Sequence, residues 1–509
     1  MTKPDADQLN SAAGRFLRDH WPVFAWSLVF LFVAGGLQFY FTPFVEGDAP
    51  YHAAVGKLIR QNGILYEFPW TPFSWLSDRY ADDRLLFHLL YVPFANLDWI
   101  TAARIVGTIA GAAILIALYL VLRAEQIRFA GLWTLIPLTG SVLFISRFML
   151  VRPHLLSIAL ALLFLWAAAR GRLAILAAVS FLYPLTYIAF WQLPCLLLIA
   201  AETARFLARK PIRWKPAAVV VCGIALGIAV HPNTLNLIAY NWIVMVDVLV
   251  KNTWLAPVGI DMGRELNTYP LGGWIQGLSV SALMTAAAAV YGWRYRREDL
   301  VLLAFALAAL GFCVLTIRSA RFAEYFVPFS VAAFATASRF IAWRFLAPSL
   351  LAISLAYTMF VGSFTFSQWS RETNPMPPST AARFQQLIPP GSRVFTTRWD
   401  YTGLLMVALP ERYFLVALDP TLFFLKDPEL YRLWYRIAHE PTPGIADIIR
   451  KRFGSRYVVV NNPPASQHFN HQLSTEPGVR VILSLDRWLV FDLGPASTPE
   501  RLGPGQSGR

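Results

Sequence analysis

A few short segments of this chain hold carboxylates, histidines and arginines that could act on a phosphate-bearing substrate. Glu46-Gly47-Asp48-Ala49-Pro50-Tyr51-His52 follows the first apolar stretch directly, and the same loop later supplies Asp82, Asp83 and His88. Arg147 and Arg152-Pro153-His154 occupy a tight turn between two apolar runs. Arg318-Ser319-Ala320-Arg321-Phe322-Ala323-Glu324-Tyr325 fills another such turn. A carboxylate at a membrane surface can act as a general base on an acceptor. A guanidinium pair binds phosphate in bidentate fashion. Asp48 with Asp82 and Asp83 could also hold a hard divalent cation, Mg or Mn, through oxygen. Each residue alone has a plainer reading: arginines snorkel at span ends, and Asp48 or Asp82 could merely cap a helix. Their conjunction carries the argument, because charges near a bilayer core are costly. No Walker or dinucleotide-type glycine loop occurs, so a soluble nucleotide is not the obvious donor.

The elements that would position these groups are mostly membrane spans. The 509 residues are 56% hydrophobic and only 15% charged, against about 25% charged in soluble domains. Apolar runs lie near 22–42, 102–122, 131–149, 154–169, 216–231, 274–293, 299–317, 322–340 and 345–365, with 173–204 interrupted at Pro184. Reading 173–204 as two spans makes eleven and puts the N-terminus inside. Inner segments then carry seventeen Lys and Arg and the later outer loops six, as the positive-inside rule requires. The net charge of +14 is therefore orientation signal and does not imply nucleic acid. Cys195, Cys222 and Cys313 all lie in apolar runs, which supports neither a disulfide framework nor a thiolate metal site. The first run lacks a cleavage site and reads as a retained span.

The first outer loop, 43–101, should hold a helix capped by Asp48 and ended by Gly63. A second should start at Asp82 or Asp83, its apolar run Leu85–Tyr91 lying at the interface. A later outer loop, 232–273, has a possible helix near 235–250. After residue 368 the composition changes. Pro375-Met376-Pro377-Pro378 reads as a linker into an α/β domain of 369–495, with strands at 393–397, 413–418, 457–461, 479–485 and 488–493. Helices are expected at 380–387, 428–439 and 445–452. The tail 496–509 has a disordered composition.

These landmarks resemble the GT-C superfamily of integral-membrane glycosyltransferases, most nearly the catalytic subunit of oligosaccharyltransferase. The quoted features are Asp48 in the first outer loop, and the aromatic segments Gly63-Ile64-Leu65-Tyr66-Glu67-Phe68-Pro69-Trp70 and Trp75-Leu76-Ser77-Asp78-Arg79. Arg321-Phe322-Ala323-Glu324-Tyr325-Phe326 and Arg398-Trp399-Asp400-Tyr401-Thr402-Gly403 complete them. The last resembles the family's WWDYG acceptor motif, with Arg398 in the place of its first Trp and the Gly one residue late. The turn 148–154 has no carboxylate where the family has its second acidic motif. The resemblance therefore implies sugar transfer from a polyprenyl carrier, without implying protein N-glycosylation.

It implies a polytopic α-helical membrane protein, GT-C-like, with a C-terminal extracytoplasmic α/β domain; the few disulfide clues and the undecorated outer domain suggest a bacterial inner membrane. Asp48 would be the base, and Asp82 or Asp83 would orient the acceptor or hold a cation. Arg321 and Arg318, with Arg152, His154 and Arg147, would face the donor phosphate. Trp399, Asp400 and Tyr401, with His52 and His88, would face a glycan, lipid or protein acceptor. Single displacement would invert the anomeric carbon. A transporter or flippase would instead place ionisable groups at the bilayer midplane, often in two related halves. A non-catalytic assembly protein would bind carrier lipid without turnover, and a lipid-A or polymer-modifying sugar transferase is a further enzymatic alternative.

Overall fold

A computed structural model of the chain describes residues 6–41, 48–255, 260, 267–371, 373–417, 419–461, 466–485 and 487–495, and only the backbone for 6–19 and 252–255. The tail 496–509, Glu46, Gly47 and Arg264 lie outside the described residues. The chain forms two compact units. One comprises Met1–Val45, Val55–Tyr66 and Ala81–Thr373, and the other Glu46–Ala54, Glu67–Tyr80 and Asn374–Arg509. The first loop is thus divided between them.

The first unit is helical. Its elements are α1 (Ala6–Tyr40), most of α2 (Asp48–Asn62), α3 (Leu85–Tyr91), α4 (Trp99–Ala124), α5 (Ala130–Thr139), α6 (Val142–Met149), α7 (His154–Arg170) and α8 (Leu173–Thr186). There follow α9 (Gln192–Leu207), α10 (Trp214–Ala229), α11 (Thr234–Trp242), α12 (Leu271–Arg294), α13 (Leu300–Arg318), α14 (Ala323–Ala337) and α15 (Leu346–Trp369). Among the described residues six helices are long and apolar enough to cross a membrane, or seven if the bent pair α5 and α6 is one span. The stretch 173–204 does form two helices. The break falls at Tyr187, which is extended (φ −153°), and not at Pro184, which stays inside α8. The expected helix at 235–250 is α11 followed by a π-helical stretch, Ile243–Leu255.

Sequence spacing explains the contact between α8 and α10. Gly223 and Gly227 lie four apart on one face of α10, and a Cβ there would stand 2.7 Å from Ser180 Cβ and 2.4 Å from the Phe181 carbonyl oxygen. Small residues at this spacing let two backbones approach, so α8 and α10 run side by side and bring their C-terminal ends together.

Charged residues gather at the two ends of this helical unit. At one pole Glu125, just past α4, receives Arg170 Nε at 2.7 Å, Trp166 Nε1 at 2.9 Å and Arg339 at 3.3 Å. Arg339 also reaches Asp299 at 2.8 Å, and Asp299 caps α13 through Leu302 N–H at 3.0 Å. This clamp joins the ends of α4, α7, α13 and α14. Burial alone would raise the Glu125 carboxyl, but Arg170 and Trp166 hold it below the usual glutamate value. The other pole, at the opposite ends of α7 and α14, holds the candidate site.

The second unit is α/β. Strands β1 (Arg393–Thr396), β2 (Tyr413–Phe414), β3 (Tyr457–Asn461), β4 (Arg480–Leu485) and β5 (Trp488–Asp492) form one sheet in the order β2-β1-β3-β5-β4. The first three are parallel and the last two antiparallel to their neighbours. β3 is buried over Tyr457–Val460, as its central place and unbroken Val run require. The helix expected at 428–439 is Pro428–His439, with Asp427 capping it. A loop segment some three hundred residues earlier completes this unit. Trp70 O accepts from Phe414 N–H at 2.7 Å, Trp70 Nε1 donates to Pro410 O at 2.7 Å, and Phe73 packs on Phe423 and Phe453.

Candidate active site

At the second pole of the helical unit a 91° bend separates α5 from α6. Gly140 ends α5, and Ser141 starts α6 by accepting Phe144 N–H at 3.1 Å. The bend turns α6 so that Arg147, in its last turn, meets Glu324 in the first turn of α14. Arg147 Nε and Nη2 donate to one carboxylate oxygen at 3.0 and 2.6 Å. Glu324 is fully buried and Arg147 is 8% exposed. His154, the first residue of α7, donates through Nε2 to Arg147 O at 3.0 Å and lies 3.8 Å from Glu324. The other carboxylate oxygen, Glu324 Oε1, is buried without a hydrogen-bond partner among the described residues.

A single 3-10 turn, Ala320–Phe322, separates α13 from α14 and carries Arg321. It is tied down by Ala320 N–H donating to Asn267 O at 2.8 Å. Arg321 Nη2 lies 3.5 Å from the Tyr187 hydroxyl. Below it, Tyr325 OH donates to Ser157 Oγ at 2.8 Å, and Tyr183 OH to Ser157 O at 3.2 Å. Arg318 is exposed, and Arg152 is half-buried in the turn before α7.

A second cluster forms where α10 ends. Asp82 receives His88 Nδ1 at 2.8 and 2.9 Å and Arg84 N–H at 3.1 Å. The Asp82 carbonyl accepts from His231 Nε2 at 2.9 Å, while His231 Nδ1 accepts Asn233 N–H at 3.0 Å. Those two bonds fix His231 as the neutral Nε2–H tautomer. Asp83 turns to Arg84 Nε at 3.1 Å. Both carboxylates are buried. Burial would raise Asp82, but His88 and the Arg84 N–H bring it below the usual aspartate range. For Asp83 burial wins over Arg84, and the neighbouring Asp82 adds to it, so its carboxyl is pushed up. Adjacent acids driven apart in this way are suited to opposite proton roles. The helix expected from Asp82 or Asp83 begins at Leu85, with Asp82 satisfying a backbone donor just before it.

The remaining predicted residues lie in the α/β unit. Asp48 is the half-buried first residue of α2, His52 is fully buried, and Tyr51 packs on Phe68 with ring centroids 6.1 Å apart. Asp400 pairs with Arg398, and Trp399 is half-buried. Tyr401 is a core residue. Its hydroxyl accepts Thr397 N–H at 3.1 Å and donates to Val459 O at 2.9 Å, and its ring meets Trp488 edge-on. Burial pushes that phenol up to about 12. Tyr401 thus fastens β1 to β3 and holds Trp399 and Asp400 just beyond the strand.

Among the described residues no group of three His, Cys, Asp or Glu is arranged to hold a metal ion. Asp82 and Asp83 are turned to His88 and Arg84. His231, Tyr187, Tyr325 and Ser157 were not singled out as site residues from the sequence. The His231-Pro232-Asn233 break at the end of an apolar run was the one local signal available.

No protein-family profile matches this chain, and no curated protein does. Solved structures do. ArnT from Cupriavidus metallidurans bound to undecaprenyl phosphate is 14% identical, with a TM-score of 0.59 over 94% of this chain and 98% of that one. Archaeal oligosaccharyltransferase AglB from Archaeoglobus fulgidus, in complex with an inhibitory peptide and a dolichol-phosphate, is 14% identical. Its TM-score is 0.52, over 87% of this chain and 70% of that one. Arabinofuranosyltransferase AftD from Mycobacteria is 16% identical with a TM-score of 0.56. The match takes in 92% of this chain but only 40% of AftD. At such identities the likeness is one of fold, shared with these three structures.

Proposed function

We propose that this chain is a membrane glycosyltransferase that moves a sugar from a polyprenyl phosphate or pyrophosphate to an acceptor at the extracytoplasmic face. The supporting observation is the end-to-end likeness to ArnT, an undecaprenyl-phosphate-bound structure matched over 94% of this chain and 98% of its own. The eleven-span topology, with the N-terminus inside and the α/β unit outside, belongs to the same proposal.

The carrier phosphate is already a good leaving group, so catalysis needs a base on the acceptor and positive charge on the departing oxygen. Asp48 takes the acceptor proton, the acceptor atom bonds to the anomeric carbon, and the bond from that carbon to the phosphate oxygen breaks. The electron pair leaves with the carrier phosphate, which Arg321 stabilises, helped by Arg318 and Arg152. Arg147 and His154 lie beside them, His154 donating to the Arg147 carbonyl. With two donors committed to buried Glu324, Arg147 holds that carboxylate in place. Asp82 orients His88, and His88 with Asp83 faces the acceptor. Trp399 and Asp400 are the acceptor-side residues of the α/β unit, and Tyr401 supports them.

The test is Asp48→Asn, assayed as sugar transfer from carrier-linked donor in vesicles that present the extracytoplasmic face. Loss of transfer with retained donor binding is expected. Full activity removes Asp48 as the base, and donor binding without transfer in the unaltered protein favours a non-catalytic assembly role.

A further inference from the structure

A separate feature lies at the clamp pole. An open pocket of about 270 Å³ is lined by Gly171, Leu173, Ile212, Arg213, Trp214 and Lys215, among others. We infer that this pocket holds the anionic phosphodiester headgroup of a phospholipid from the leaflet that meets this pole.

The charge balance points to an anion. Within residues 202–215 five cations, Arg205, Arg209, Lys210, Arg213 and Lys215, face one carboxylate, Glu202. Glu202 is shared by Arg205 at 3.6 Å and Arg213 at 3.4 Å. Arg209, Lys210 and Lys215 form no ion pair among the described residues. The pocket is also built rather than incidental. Arg205 donates twice to Pro211 O at 3.1 and 2.9 Å, and Arg213 Nη2 donates to Ala168 O at 2.6 Å, which fixes the loop against α7. Gly171, at φ 70°, permits this, since a Cβ there would stand 2.5 Å from Arg213 Nη1. Arg209 adopts φ 58°, a left-handed conformation that glycine would take more easily and that turns the chain sharply beyond the end of α9.

The apolar rim points to a lipid rather than to a soluble anion. Trp214 is 73% exposed, and Ile212 and Phe206 are each 66% exposed, directly beside the cations. Exposed Trp and aliphatic side chains interleaved with Lys and Arg match the headgroup level of a bilayer. Basic pockets between membrane helices favour anionic headgroups. A zwitterionic headgroup carries its own compensating cation and gains less.

Full-length protein in detergent, titrated with short-chain phosphatidylglycerol or phosphatidylcholine and read by native mass spectrometry, tests the assignment. One retained phosphatidylglycerol is expected in preference to phosphatidylcholine. Its affinity should fall about tenfold in Lys210→Gln/Lys215→Gln, and should be unchanged in the exposed control pair Arg297→Gln/Arg344→Gln. Trp214→Ser, which leaves the charges in place, should weaken retention of both lipids. Equal retention of the two lipids, an unchanged adduct in the lysine pair, or equal loss in the control pair overturns the site. Displacement by millimolar inorganic phosphate, with phosphate itself retained, makes it a free-anion site and overturns the lipid assignment.

Discussion

Both poles of the helical unit bury a carboxylate among arginines, yet they leave it in different states. At the clamp, both oxygens of Glu125 are taken by Arg170, and Trp166 and Arg339 add further donors. At the other pole Glu324 has two donors on one oxygen and none on the second among the described residues. The first arrangement closes four helix ends and leaves neither oxygen of Glu125 without a donor. The second keeps a buried acceptor and a nearby arginine, Arg321, held by a tyrosine. A saturated network stabilises, whereas an incompletely satisfied one of the same composition is the kind of place where chemistry or binding is found.

The contrast can be broken most severely at Arg147. Arg147→Ala leaves Glu324 buried without its donors and should cost about 3–5 kcal/mol of stability, read as a loss of thermal stability in detergent. Replacing both partners with apolar residues should recover much of that loss. Arg321→Ala should leave stability nearly unchanged but weaken donor binding or transfer by about 10²-fold, measured with carrier-linked sugar. An unchanged donor dependence would return Arg321 to a snorkelling role. At the clamp, Glu125→Gln should cost less, about 1–2 kcal/mol, because Arg170 and Arg339 are partly exposed and screened.

The same substitution gives a pH test. The Glu125 carboxyl lies below its usual value of 4.5 in the folded chain. Its contribution is therefore complete above about pH 4.5 and is lost as the pH falls through the depressed native value. Thermal unfolding of Glu125→Gln should show a shallower acid limb over that window. The smallest effect is expected in the α/β unit, where Tyr401→Phe removes the bond to Val459 O and should cost about 1 kcal/mol. A larger loss of transfer than of stability there would place the hydroxyl closer to the acceptor than its buried bonds indicate.

Much of this architecture was legible in the residues. Strand β3 and the helix Pro428–His439 have their expected bounds, because Val-rich and amphipathic patterns report local burial directly. Asp48 in the first turn of α2 and Gly63 (φ +77°) at its end were readable for the same reason: helix-start preferences and left-handed turns are local. The strand expected at 413–418 is only the two-residue edge β2, and Phe414 N–H goes to Trp70 instead. That exchange depends on a segment far away in sequence, which no local pattern announces. The site shows the same division. Arg321 and Glu324 stood out as charges in an apolar setting, but His231 and Tyr187 gain meaning only from partners in distant helices.

The sequence alone determined that this is a helical membrane chain with an α/β unit, with clusters of ionisable groups at the ends of its apolar runs. Hydropathy, charge placement and capping act over neighbouring residues, and each is written in the residue types. Only the tertiary structure decided which arginine meets a buried carboxylate and which meets a tyrosine hydroxyl. It also decided that of two adjacent aspartates one carboxyl is raised by burial and the other, against burial, lowered by its histidine. Those outcomes depend on burial and on contacts across helices, where the energy of a charge is set by neighbours the chain places far away in sequence.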